Sequence, residues 1–289
     1  MELINCYTGF EETYSPNMDK RQVQETWYNF MEKYEYVRRL CIDDYTQQGY
    51  YWKDIAYDRV FNYDQSFVER MTSTAKLLEE IIISMKDKLT DFYSLERDDT
   101  VIIIYHGLGN AAGWVTTYNG RPAIYLGIEK IVELGWDSRQ KLEDLVSHEY
   151  GHLIHMEIRK APLAPFLNMR KKVLFRMYTE GVATFFEGIF NGREVSSPKW
   201  YKRANELESE LRKELLTRLE KESKDSEDFF GDWNPVMNLN EAGYFLGLQV
   251  IKILVTRMTF NEVMRLSDDV VLYVFEEYLK GNLQKEMSL

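Results

Sequence analysis

The sequence predicts an α+β fold, with a small antiparallel or mixed sheet beside a mostly helical body. Three observations carry this. Apolar residues recur at three- and four-residue steps through most of the 289 residues. One β-branched run, Thr100 to Tyr105 (TVIIIY), interrupts that periodicity. Asn119-Gly120 follows it as a hairpin turn signal.

In chain order, Val23, Trp27, Phe30, Met31, Tyr34, Val37 and Leu40 form one helical stripe, and Phe67, Met71, Leu77, Leu78, Ile81, Ile82 and Met85 a second. The Tyr- and Trp-rich stretch between them, Gln47 to Tyr63, reads as partly irregular. Residues 1–95 are thus an N-terminal helical region and 96–289 the core, the two separable or continuous as one domain. After TVIIIY come Gly107, Gly109 and Gly113. Trp114 to Tyr118 and Ala123 to Leu126 then flank the Asn-Gly turn, giving two or three antiparallel strands. Asp137 or Ser138 caps a helix running to about Arg159. Pro162 and Pro165 break the chain, and Val173 to Phe190 forms a helix closed by Asn191-Gly192. A charged helix follows from Lys199 to Glu222, with Leu207, Leu211, Leu215 and Leu219 on its apolar side and the remainder a solvated face in preference to a lid or an oligomer contact. Asp225 to Pro235 reads as a loop, and apolar helices near Glu241 to Met258 and Asp269 to Lys280 finish the chain.

Composition excludes several classes. Acidic side chains number 47 against 36 basic ones, a net charge of −11. A nucleic-acid surface needs clustered cations to replace phosphate counterions, so that partner is not expected. No basic, then apolar, leader opens the chain and no 18 apolar residues run together, so neither secretion nor a membrane span is expected. Only Cys6 and Cys41 are present, which favours reduced thiols and a cytoplasmic setting over a disulfide framework. Oligomeric state leaves no trace in the composition. The sharpest count is histidine: four in all, three of them within positions 148–155.

Those three begin with His148-Glu149-Tyr150-Gly151-His152, an H-E-x-x-H inside a predicted helix. Residues four apart share a helix face, so both imidazoles can reach one ion. Zinc takes neutral imidazole nitrogens at about 2.0–2.1 Å. Glu149, beside the ion without binding it, is placed to take a proton from water that the metal acidifies. A catalytic zinc takes three protein ligands and keeps one position open. His155 lies nearly another turn along and reads as packing or as support for a ligand, and His106, in the glycine loop, is a lesser ligand candidate. The better third ligand is Glu180, on the next predicted helix. Gly181, Ala183 and Thr184 let that helix approach closely, and Met177, Val182, Phe185 and Phe186 make a lone charge costly there. Glu187 shares its face and is a candidate to orient a ligand imidazole.

HEYGH followed 28 residues later by Glu180 resembles the gluzincins, zinc metallopeptidases whose ligands are two His and a Glu from a following helix. More narrowly, GNAAGW, HEYGHLIH, TEGVATFFEG and AGYFLG resemble the bacterial Zn-dependent proteases grouped as a domain of unknown function. The resemblance covers roughly residues 100–258. It implies a zincin-like fold with the motif on a central helix. It also implies a strand that pairs with an extended peptide, for which Asn110 to Thr117 is the candidate, with Asn110, Ala111, Ala112 and Gly113 at the approach, and a Tyr that donates to the oxyanion, for which Tyr244 is the candidate. Many gluzincins carry Asp four residues after the ligand Glu; here that residue is Thr184.

The sequence thus points to a Zn2+-dependent peptidase acting on peptide or protein substrates. In this reading His148, His152 and Glu180 hold the ion and Glu149 is the general base. Endopeptidase and aminopeptidase readings both stay open. Two other classes compete: a non-haem iron enzyme with two His and one carboxylate, and a non-catalytic binding or regulatory module stabilised by metal.

Overall fold

The computed structural model describes residues 1–92, 99–160, 168–193 and 198–283. The break expected at Pro162 and Pro165 lies outside those residues. Helix makes up 66% of the structure, beside one four-stranded mixed sheet, so the α+β expectation holds. Contacts divide the chain into two units, Met1–Glu149 and Tyr150–Leu289, and the boundary falls inside one continuous helix. Among the described residues no helix is long and apolar enough to cross a membrane.

In chain order the first unit contains β1 (Glu2–Asn5), α1 (Phe10–Thr13), α2 (Lys20–Phe30), α3 (Glu35–Gln47), α4 (Trp52–Arg59) and α5 (Gln65–Phe92). It continues with β2 (Val101–Tyr105), β3 (Gly113–Tyr118), β4 (Arg121–Gly127), α6 (Ile128–Glu133) and the first half of α7 (Arg139–Arg159). Asp19 starts α2 by a capping box, accepting from the backbone N–H of Gln22 while that side chain returns the bond. The stretch read as irregular carries α4. Trp52 buries its ring 5.6 Å from Trp27, so aromatic packing stabilises a helix whose periodicity is weak.

The sheet differs from the expected set of two or three antiparallel strands. Its order is β1-β2-β4-β3; β1–β2 and β2–β4 are parallel, and only β3–β4 is antiparallel. A four-residue strand, Glu-Leu-Ile-Asn, is too short to show a period, and its pairing becomes visible only once Glu2 lies against Val101. Central β2 is buried at every residue, as a continuous apolar run in a parallel pair should be. The β3–β4 turn is as the sequence predicts. Asn119 and Gly120 both take left-handed φ, 51° and 78°, which matches strand twist in a two-residue hairpin. Strand β3 ends up at the sheet edge, half-exposed.

The second unit holds the rest of α7, then α8 (Met169–Asn191), α9 (Pro198–Glu206), α10 (Glu208–Glu220), α11 (Ala242–Leu254), α12 (Phe260–Val263) and α13 (Asp268–Lys280). Helix α8 opens on Asn168, whose side chain accepts from Lys171 N–H, and closes on left-handed Gly192. The single charged helix expected over 199–222 is two helices meeting at Leu207, and Leu211, Leu215 and Leu219 are fully buried. The expected loop after Asp225 starts as a 3-10 helix, Lys224–Phe230. Helix α11 crosses α8 with Gly247 directly against Gly181.

Candidate metal centre

Helix α7 is fixed by its apolar side: Leu142, Val146, Tyr150, Leu153 and Ile154 are buried. That leaves His148 and His152, four apart, half-buried on another face. Helix α8 is buried through Met177, Tyr178, Val182 and Ala183, with Glu180 in their midst. Gly151 allows the two helices to meet; a Cβ there would come within 3.1 Å of Ala183 Cα and Phe186 Cβ. One residue on, His152 Nε2 donates to Glu180 Oε2 at 3.1 Å. One ligand atom each from His148, His152 and Glu180 lie within 4.8 Å of one another. Two imidazoles and one carboxylate converging in this way are a donor set that fits zinc.

Glu149 is 5% exposed and belongs to the first unit with β3. Gly113 opens β3 against it. A Cβ built on Gly113 would fall 2.5 Å from Glu149 Oε1 and 2.9 Å from its Cδ, so only glycine leaves the carboxylate where it is. The loop before Gly113 is tied down throughout. Buried Glu129 accepts from Gly107 N–H at 2.8 Å and Gly109 N–H at 2.9 Å. Tyr45 O–H donates to Leu108 O, Trp27 Nε1–H to His106 O, and Gly127 N–H to Ala112 O. The side chain of Asn110 serves the same loop: its Oδ1 accepts from Leu108 N–H, and its Nδ2 donates to Cys41 O and Asp44 Oδ2. Ala111 lies beside Gly127, where its carbonyl would meet any added Cβ at 2.3 Å.

Of the remaining predicted positions, Tyr244 sits in the first turn of α11, half-buried, with its ring 6.3 Å from that of Phe230. Glu187 is half-buried on α8, two turns beyond Glu180. Thr184 is buried, and its hydroxyl has no hydrogen-bond partner among the described residues. His155 stays outside the donor cluster, as its spacing predicts. Its ring is sealed edge-on against Tyr178 at 4.7 Å, and burial, then the neighbouring His152 and Arg159, push its pKa down to about 3.

Two residues escape the sequence reading. Arg176, one turn before Glu180, brings Nε to 3.8 Å from Glu180 Oε1; the i, i+4 spacing is the signal that could have found it. Glu129 bonds residues 20 and 22 positions away, and no local pattern announces that. No protein-family model, curated protein or solved structure matches this chain.

Proposed function

We propose that the chain is a zinc-dependent peptidase. The observation that carries the proposal is the convergence of His148, His152 and Glu180 donor atoms, with Glu149 next to the first His and lodged against the edge strand at Gly113. His148, His152 and Glu180 hold the ion, which when bound supplies Lewis acidity toward water and a substrate carbonyl. Glu149 accepts the proton of the attacking water at its carboxylate and delivers it to the leaving amine. Tyr244 O–H donates to the developing oxyanion. The outer edge of β3 pairs with the backbone of an extended peptide. Asn110 anchors the loop that leads into that strand through its bonds to Cys41 and Asp44. Glu187 is the acceptor we assign to a ligand imidazole, and zincin-like describes the helix-and-edge-strand arrangement in this reading.

A non-haem iron centre uses the same donor types, but a carboxylate on the ligand helix itself, next to the first His and against an edge strand, suits general-base work better. The test combines metal analysis with two variants. Chain isolated without added metal should carry about one zinc, as structural and catalytic sites of this donor type do. Glu149→Gln should keep zinc and lose about 10²–10⁴ of its hydrolysis of a fluorogenic peptide library. Glu180→Ala should lose the metal. Iron in place of zinc, or full activity in Glu149→Gln, would overturn the proposal.

A further inference from the structure

We infer that Arg176 reads a carboxylate on the substrate, so that the peptides cleaved carry an anion next to the scissile bond. This rests on the peptidase reading above. The two oxygens of Glu180 face different partners: Oε2 accepts from His152 Nε2 at 3.1 Å, and Oε1 lies 3.8 Å from Arg176 Nε. The guanidinium therefore borders the donor cluster at the Glu180 oxygen that His152 does not take. It is braced there. Its Cζ lies over the Phe230 ring, 4.9 Å from the centroid, and Nη2 donates a long 3.4 Å bond to Phe230 O. Phe230 is held in turn by Gly243, where even a Cβ would come within 2.5 Å of the ring, and by Tyr244.

What sets Arg176 apart is unused capacity. Arg218 donates to Glu214 at 2.8 Å and to Asp225 O at 2.7 Å, and Arg170 is paired with Glu276 at 3.0 Å. Arg176 has five N–H donors, a single long hydrogen bond among the described residues, and 36% of its side chain exposed. A guanidinium fork matches a carboxylate bidentately and stacks on aromatic rings, which is why it suits such a position better than an ammonium. The anion has two sources in a peptide, a free C-terminus or an acidic side chain, and both present the same group.

The test is calorimetric titration of zinc-loaded Glu149→Gln chain, with Arg176 intact or replaced by Gln. The probes are acetohydroxamate, N-acetyl-tetraalanine as free acid, its C-terminal amide, and the amide with Asp at the third position. Acetohydroxamate, which needs only the metal, should bind both proteins equally. With Arg176 in place, a carboxylate-bearing peptide should bind about tenfold or more tighter than the neutral amide, as a charge-assisted bond provides, and Arg176→Gln should erase the preference. Preference for the free acid identifies the C-terminus, and preference for the Asp peptide identifies a side chain. Equal or undetectable binding of all three peptides overturns the inference, as does a preference that survives Arg176→Gln. So does equal weakening of acetohydroxamate and peptides, because Arg176 then acts through Glu180. Failure of zinc loading and of acetohydroxamate binding would instead bring down the peptidase reading itself, and this inference with it.

Discussion

Each half of the chain sets an imidazole among carboxylates, and the two settings differ in kind. In the first unit His106 is fully enclosed. Its Nδ1 faces Gly107 O at 2.8 Å and must donate, so Nε2 accepts from Tyr63 O–H at 2.8 Å, and burial lowers its pKa. Nearby Glu129 spends its oxygens on two backbone N–H groups. Every atom has a partner that the fold itself supplies. In the second unit His152 and Glu180 turn toward each other, with 18% and 11% of their side chains exposed, and a further imidazole nitrogen lies within 4.8 Å. A buried His with a nearby acid is common structural furniture. Donor atoms that converge on one point and keep an outlet to solvent could hold an ion, which is the reading proposed above.

The largest expected effect breaks the two settings apart. His152→Ala should weaken zinc by more than the roughly 10–100-fold that losing a mere supporting partner costs, with little loss of apo-protein stability. His106→Ala should leave zinc affinity unchanged and lower unfolding free energy by about 2–4 kcal/mol, for a buried ring with two hydrogen bonds removed. Competition against a chelator and urea denaturation measure the two quantities. Matching zinc losses in both variants would erase the distinction.

Gly113→Ala probes the proposed general base rather than the proposed ligands. The three atoms nearest the added methyl all belong to the side chain of Glu149, so the carboxylate shifts while the sheet stays. Stability should change by less than about 1 kcal/mol, the scale of a Gly→Ala change in unfolded-chain entropy. Hydrolysis should fall by about 10²-fold, the cost of roughly an ångström of misplacement, with zinc retained. Unchanged turnover would show that Glu149 is not confined by β3.

Acid separates the sealed imidazoles from solvent. His155 is held neutral to about pH 3, against 6.5 for the free side chain. Between those values the unfolded chain binds a proton that the folded chain refuses, so stability rises with pH across the window and levels off above 6.5. Each pH unit inside it is worth about 1.4 kcal/mol, hence about 2 kcal/mol between pH 6.5 and 5 from this residue. His106, also shifted down by burial, adds with the same sign. His155→Phe should flatten the slope of urea midpoint against pH between 5 and 6.5. A slope identical to that of the parent chain would contradict the assignment.

Legibility in the sequence follows interaction range. Asn119-Gly120 and the Asn191-Gly192 end of α8 are local chemistry and read directly, whereas the start of α8 at Asn168 precedes the apolar run that announces the helix. His148 and His152 are readable because their coupling is one helical turn, and Glu180 because small and apolar neighbours frame it. Strand β1 was hidden because its partner lies about a hundred residues away and its four residues carry no period. The work of Asn110 was hidden for the same reason: its side chain bonds Cys41 and Asp44, almost seventy residues back. Leu207 marks a helix junction that an unbroken apolar spacing conceals.

The smallest effect tests whether the closed network of the first unit is independent of the metal donors. Glu129→Gln keeps the shape of the side chain, but it turns one acceptor into an amide donor facing a backbone N–H, of either Gly107 or Gly109. One charge-assisted bond is lost and another becomes neutral, a cost of about 1–3 kcal/mol for the orphaned buried donor, reduced where the loop can relax toward water. The expected result is the low end, about 1 kcal/mol from the shift in urea midpoint, because Tyr45, Trp27 and Asn110 still hold the loop. Zinc content should stay that of the parent chain, since Glu129 gives its two oxygens to the N–H groups of Gly107 and Gly109. Turnover should fall only as far as the Gly113 slot drifts, by less than Gly113→Ala produces. Zinc loss in Glu129→Gln would mean that the closed network also shapes the metal donors, and the contrast between the two histidine settings would then be one of degree.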